Sequence, residues 1–162
     1  MNIRTDWTLE EIREIYNRPL LDLMFEAATI HRENNAYGEV QISSLISIKT
    51  GGCKEDCSYC PQSIKFNTDI TVHPLMQLAE VKRKALTAKE NGASRVCMGA
   101  SWREVRDNRD FDRVLEMVKE VNDMGIEVCC TLGMLTYEQA QKLKESGCFA
   151  YNHNIDTSRD YY

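Results

Sequence analysis

Three cysteines fall within eight residues of this 162-residue chain, in the stretch TGGCKEDCSYCPQS. Cys53, Cys57 and Cys60 take a C-x3-C-x2-C spacing, with Gly51 and Gly52 directly before the first. Thiolates this close on one loop can all turn toward a single metal centre, and glycine lets the backbone bend around it. A structural zinc site and a ferredoxin-type iron–sulfur cluster both ordinarily take four protein ligands. Three cysteines with no fourth beside them leave one iron of a four-iron cluster without a protein ligand, and an open metal position can take a substrate or cofactor. Two other readings stand beside this one: a zinc site completed by His73 or another cysteine, and a group of unliganded thiols.

The chain holds seven cysteines in all, the others being Cys97, Cys129, Cys130 and Cys148. An odd count without a secretory pattern suggests a reducing compartment and metal chemistry rather than a disulfide framework, and the expected location is cytoplasmic. Apolar residues make up 43% and charged residues 28%, as in ordinary globular proteins. No apolar run is long enough to span a bilayer, so no membrane partner is expected. The net charge of -5 argues against a nucleic-acid partner, which would call for a basic face.

The elements that must position these cysteines read as two helices followed by alternating strands and helices. Thr8 with Glu11 forms a capping box ahead of Ile12 and Ile15, and Pro19 breaks that helix and opens a second. Leu20, Leu21, Met24, Ala27, Ala28 and His31 fall on one face of the second helix. From Val40 to Thr50 the residues alternate as a strand, leading straight into the glycine pair. A helix from about Met76 stops at Asn91-Gly92, and a short strand runs from Arg95 to Met98. Phe111, Val114, Leu115, Val118 and Val121 share a helical face closed by Gly125. Ile126 to Leu132 reads as a third strand, Thr136 with Gln139 caps a helix ending at Gly147, and Phe149 to Ile155 reads as a fourth strand. The rhythm predicts an α/β fold with a parallel sheet, a partial (β/α) barrel of about four units over residues 40–162, preceded by a helical segment over residues 1–39. Four units do not close a barrel, and the expectation is a fragment of a longer chain.

The cysteine spacing, with Tyr59 just before the third cysteine, resembles the signature of the radical S-adenosylmethionine (SAM) superfamily. The segments SLISIKTGGCKEDCSYCPQS, RVCMGASWR, GIEVCCTLGML and YNHNIDTS are similar, in order and spacing, to the biotin synthase family within it. The resemblance implies a [4Fe-4S] cluster on Cys53, Cys57 and Cys60, with S-adenosyl-L-methionine on the fourth iron and Tyr59 against its adenine side. It implies a second, [2Fe-2S] centre with Cys97 and Cys129 among its ligands, Cys130 taking a position that need not be cysteine. Adjacent strand residues face opposite sides, so only one of that last pair can point into a barrel. Gly99, Ala100 and Trp102 follow the second strand where the superfamily contacts the cofactor. Asn154 and Asp156 match ribose contacts, and Asn152 matches a substrate contact.

The implied activity is sulfur insertion into dethiobiotin to form biotin. A flavodoxin- or ferredoxin-type protein would supply the electron, and the full-length enzyme would be a homodimer. Without the resemblance, Cys97 and Cys129 read as ordinary core cysteines, and Asn152, Asn154 and Asp156 as the solvent side of an edge strand. The third cysteine and the arginine that complete the family's second centre are not found in the chain. Another radical enzyme of the same branch, or a non-catalytic metal-binding module, are the competing readings.

Overall fold

The computed structural model describes residues 4–36, 38–155, 158 and 160. The chain divides into two compact units, Met1–Val40 and Gln41–Tyr162. In the first, α1 (Leu9–Tyr16) opens with the expected capping box: the Glu11 N–H bonds the Thr8 hydroxyl at 3.3 Å and the Glu11 carboxylate takes the Thr8 N–H at 2.8 Å. Pro19 is the N-cap of α2 (Leu20–Asn34) rather than its first helical residue. Neither helix buries a residue, and Leu20, Leu21 and Phe25 stay exposed.

The second unit is a four-stranded sheet in sequence order, every neighbour parallel: β1 (Ser43–Lys49), β2 (Arg95–Ala100), β3 (Glu127–Thr131) and β4 (Cys148–Tyr151). α3 (Leu78–Glu90), α4 (Arg109–Asn122) and α5 (Tyr137–Glu145) make the connections. Consecutive parallel strands joined by helices are the arc of a (β/α) barrel. Strand parity sorts the side chains. Ile46 and Ile48, Val96 and Met98, and Val128 and Cys130 are buried in the core with Val81, Phe111, Val114, Val118 and Leu143 of the helices. Each such fully buried aliphatic or aromatic side chain stabilises the fold by roughly 1.5–3 kcal/mol. The other parity carries Ser43, Leu45, Ser47 and Lys49 on β1, Arg95, Cys97 and Gly99 on β2, and Glu127, Cys129 and Thr131 on β3. This face is thinly covered: Leu45 is 75% exposed.

Three strand limits depart from the expected ones by more than one residue. β2 runs on through Gly99 and Ala100 instead of ending at Met98. β1 starts at Ser43, leaving Val40 and Ile42 exposed. β4 stops at Tyr151 instead of Ile155, so Asn152 and Asn154 do not stand on a strand face as expected. The reason is the loss of a partner. Asn152 donates the last ladder bond, to the Cys130 carbonyl at 2.8 Å, while the Leu132 N–H turns to the Tyr151 hydroxyl and β3 bends away at Gly133 (φ +86°).

Candidate metal centre

The cysteine loop leaves the C-terminal end of β1 through two consecutive left-handed residues, Gly51 (φ +71°) and Gly52 (φ +68°). A Cβ on Gly51 would come to 2.9 Å from Cγ2 of Val72, so both backbone angle and space call for glycine there. Backbone bonds between Thr50 and His73, 2.9 and 3.3 Å, pin the chain just before the turn. Residues immediately after the third cysteine then close the loop. Gln62 accepts the Gly51 N–H on Oε1 and the Cys53 N–H on its carbonyl, each at 3.0 Å, and the Ile64 N–H returns to the Cys53 carbonyl at 2.8 Å. The buried Ser63 hydroxyl donates to the Glu55 carbonyl and accepts the Lys65 N–H at 3.2 Å. The Cys60 N–H reaches the Cys57 carbonyl at 3.0 Å.

Cys53, Cys57 and Cys60 are half-buried in this frame. Among the described residues, no three His, Cys, Asp or Glu side chains converge on one metal ion, and the His73 side chain is exposed. A single zinc would draw its sulfurs to about 2.3 Å from one point, whereas a cluster offers a separate iron to each thiolate. Three separate thiols on a hydrogen-bonded loop fit the cluster.

Cys97 and Cys129 are Cα partners on adjacent parallel strands, on the face away from the helices. Burial, then the neighbouring Cys97 thiol, push the Cys129 thiol up to about 11, so binding a metal there would release its proton. Cys130 points the opposite way, fully enclosed, where a hydrogen bond to Cys148 and burial hold it well above the usual thiol range. The expected division of that pair is therefore observed.

One layer below, Arg95 and Glu127 are also strand partners. The guanidinium reaches Glu127 Oε2 through Nη2 at 2.8 Å and through Nε at 3.0 Å, Gln41 adds a bond at 2.8 Å, and Arg95 sits 5.4 Å from the Phe149 ring centroid. The Arg95 bond first, then that from Gln41, hold the Glu127 carboxyl below the usual range. Sequence reasoning passed over this ion pair. Its signal was present, since Arg95 and Glu127 each stand two residues before a cysteine of the Cys97–Cys129 pair.

Other expected contacts are dispersed. Tyr59 is 65% exposed on the loop. Gly99 lies on the same face as Cys97, but Ala100 turns its methyl into the core, leaving only its backbone for a cofactor. Asn152 and Asn154 are exposed, and Asp156 lies outside the described residues. A cavity of about 240 Å³ opens beside the loop, bordered by Gly52, Lys54, Trp102, Arg103 and Asp110. Gln62, Ser63, Lys49 and Ser101 complete the surroundings of the loop and were not singled out from sequence. Nothing in their residue types distinguishes them from ordinary surface or strand residues.

Comparison with known proteins gives the same picture. The pattern of the Radical SAM superfamily matches residues 47–162. A biotin synthase of Cytophaga hutchinsonii is 62% identical over 99% of this chain and 48% of its own length. That of Flavobacterium johnsoniae is 58% identical over 100% and 45%, and that of a Nostoc species 59% over 99% and 48%. The chain thus spans about half the length of the curated relatives it matches. The crystal structure of methylornithine synthase superposes with a TM-score of 0.72 at 21% identity, over 95% of this chain and 45% of that one, a likeness of fold alone. A family match that covers both β1 with its cysteine loop and the three strands after it settles the kinship: the chain belongs to the radical SAM superfamily.

Proposed function

We propose that these residues form the cluster- and cofactor-binding half of a biotin synthase, an enzyme that inserts sulfur into dethiobiotin. The observation that carries the reading is the juxtaposition of two cysteine sets. A C-x3-C-x2-C loop is clamped by Gln62 and Ser63 at the C-terminal end of β1, and Cys97 and Cys129 stand in register on β2 and β3. The identity to biotin synthases over nearly the whole chain supports it.

In this reading Cys53, Cys57 and Cys60 hold a [4Fe-4S] cluster and leave one iron for S-adenosyl-L-methionine. Reduced cluster and bound S-adenosyl-L-methionine together supply the radical chemistry, and the protein supplies binding and orientation. Tyr59, the Gly99 and Ala100 backbone, Asn154 and Asp156 face the cofactor, and Asn152 faces the substrate. Cys97 and Cys129 hold part of a [2Fe-2S] centre whose other ligands lie outside these 162 residues. An electron-transfer protein of the flavodoxin or ferredoxin type delivers the electron, the full enzyme is a homodimer, and its place is the cytoplasm.

Anaerobic reconstitution of the 162-residue chain with iron and sulfide tests the assignment. About four irons with matching sulfide, lost when the three loop cysteines become serine, is the expected result. About one zinc without sulfide would instead make the chain a metal-binding module. Substantial conversion of dethiobiotin to biotin by this chain alone would overturn the division of the second centre's ligands.

A further inference from the structure

Lys49 is the last residue of β1 and the one charged residue on its cluster-side parity, after Ser43, Leu45 and Ser47. A lysine at a strand end can extend its amine into water, but this one folds back. Its Nζ donates to the Gly51 carbonyl at 2.6 Å, to the Ser101 hydroxyl at 2.9 Å and to the Ser101 carbonyl at 3.2 Å. The Ser101 hydroxyl in turn donates to the Gly51 carbonyl at 2.6 Å, so it faces Lys49 as an acceptor. Three acceptors around one nitrogen match the three donors of an ammonium. The Ser101 N–H closes the unit on the Lys49 carbonyl at 3.1 Å. Ser101 is buried and Lys49 half-buried.

None of these partners carries a negative charge, and among the described residues no carboxylate lies within ion-pair distance of Lys49. A cation withdrawn from water without a counter-charge is costly. Burial accordingly draws the ammonium below its ordinary value, and the Cys53 thiol opposes that shift. The nitrogen would stand only 3.8 Å from a Cβ on Gly52, the residue before Cys53. Anionic thiolates on the loop would supply the missing counter-charge.

We propose that Lys49 is a positioning residue of the cysteine loop whose fixed positive charge, held against the Gly51–Gly52 turn, favours the reduced, more electron-rich state of the cluster bound by Cys53, Cys57 and Cys60. The inference rests on the cluster assignment above. Adding an electron adds negative charge near a fixed cation, which raises the reduction potential. A role confined to tying the loop to β2 would not act through charge.

The test compares wild-type protein with Lys49→Met, Lys49→Gln and Lys49→Arg, each reconstituted anaerobically, by iron content and by redox titration followed by electron paramagnetic resonance. The expected result is full iron throughout, a more negative potential in Lys49→Met and Lys49→Gln, and a potential near wild type in Lys49→Arg. Iron lost from the two neutral variants but kept in Lys49→Arg supports the same charge role during cluster assembly. Unshifted neutral variants, a Lys49→Arg variant displaced as far as Lys49→Met, or iron lost from all three overturns the inference and leaves the cluster assignment standing. Wild-type protein that takes up no cluster overturns both.

Discussion

The hydroxyl of Tyr151 on β4 accepts the backbone N–H of Leu132 at 3.0 Å, just past the end of β3. The same hydroxyl donates to the Gly133 carbonyl. One side chain thus satisfies two backbone groups at the point where β3 would otherwise continue its ladder. Burial pushes the Tyr151 hydroxyl well above the ordinary phenol range, so it remains a donor at all working pH values. Tyr151→Phe takes the partner from both groups in a partly buried site and should cost about 1–3 kcal/mol. Denaturant unfolding checks this; an unchanged midpoint and slope would remove the tyrosine from the architecture of the rim.

Gly133 should tolerate no side chain. Its φ is +86°, and a Cβ would fall 2.5 Å from the carbonyl oxygens of both Trp102 and Arg103. These belong to the loop after β2, which is tied to the loop after β3 by the Met134 N–H to the Arg103 carbonyl and the Val105 N–H to the Met134 carbonyl, each at 2.9 Å. Gly133→Ala is expected to destabilise by more than about 2 kcal/mol, combining a left-handed backbone with a collision that no flexible side chain can relieve. Thermal unfolding of the variant would show the drop.

Gln62 carries the cysteine loop more than its place after the motif suggests. Gln62→Ala removes the acceptor of the Gly51 N–H but leaves the carbonyl that accepts from Cys53. A modest loss of stability, about 1 kcal/mol, is expected together with slower iron uptake, because the loop must order itself around the metal. Stopped-flow or timed reconstitution against wild type measures the second effect. Equal uptake rates would mean that the carbonyl alone organises the loop.

The cap of α1 gives a pH prediction. The Thr8 N–H, the Thr8 hydroxyl and then Arg4 hold the Glu11 carboxyl down at about 2. Its folded value lies below the ordinary value of about 4.3, so the cap's contribution is complete above that pH and is lost as pH falls toward the folded value. Nuclear magnetic resonance titration of the Glu11 carboxyl should give that low midpoint in the wild type. In Thr8→Ala the midpoint should move up toward an ordinary glutamate.

Much of the scaffold was legible because its signals are local. The Thr8–Glu11 and Thr136–Gln139 boxes need only residues three apart, and both form as read. The spacing of Phe111, Val114, Leu115, Val118 and Val121 turns one helical face toward the sheet; four of them are buried and Leu115 is half-buried against the same core. Strand alternation likewise assigned Cys129 and Cys130 to opposite faces.

What the chain could not disclose by itself depends on partners distant in sequence. The fourth strand ends at Tyr151 because β3 turns away at Gly133 and its next amide is taken, a fact about β3 rather than about Asn152 or Asn154. Arg95 met Glu127 only once β2 and β3 were in register, and Lys49 met Ser101 only where β1 and β2 end side by side. The identity and spacing of Cys53, Cys57 and Cys60 are properties of the sequence, because a loop of eight residues keeps its ligands together in any fold. The seat that Ser101 gives Lys49, and the alignment of Cys97 with Cys129, are properties of the sheet, because hydrogen-bonded register alone brings residues more than thirty positions apart into contact.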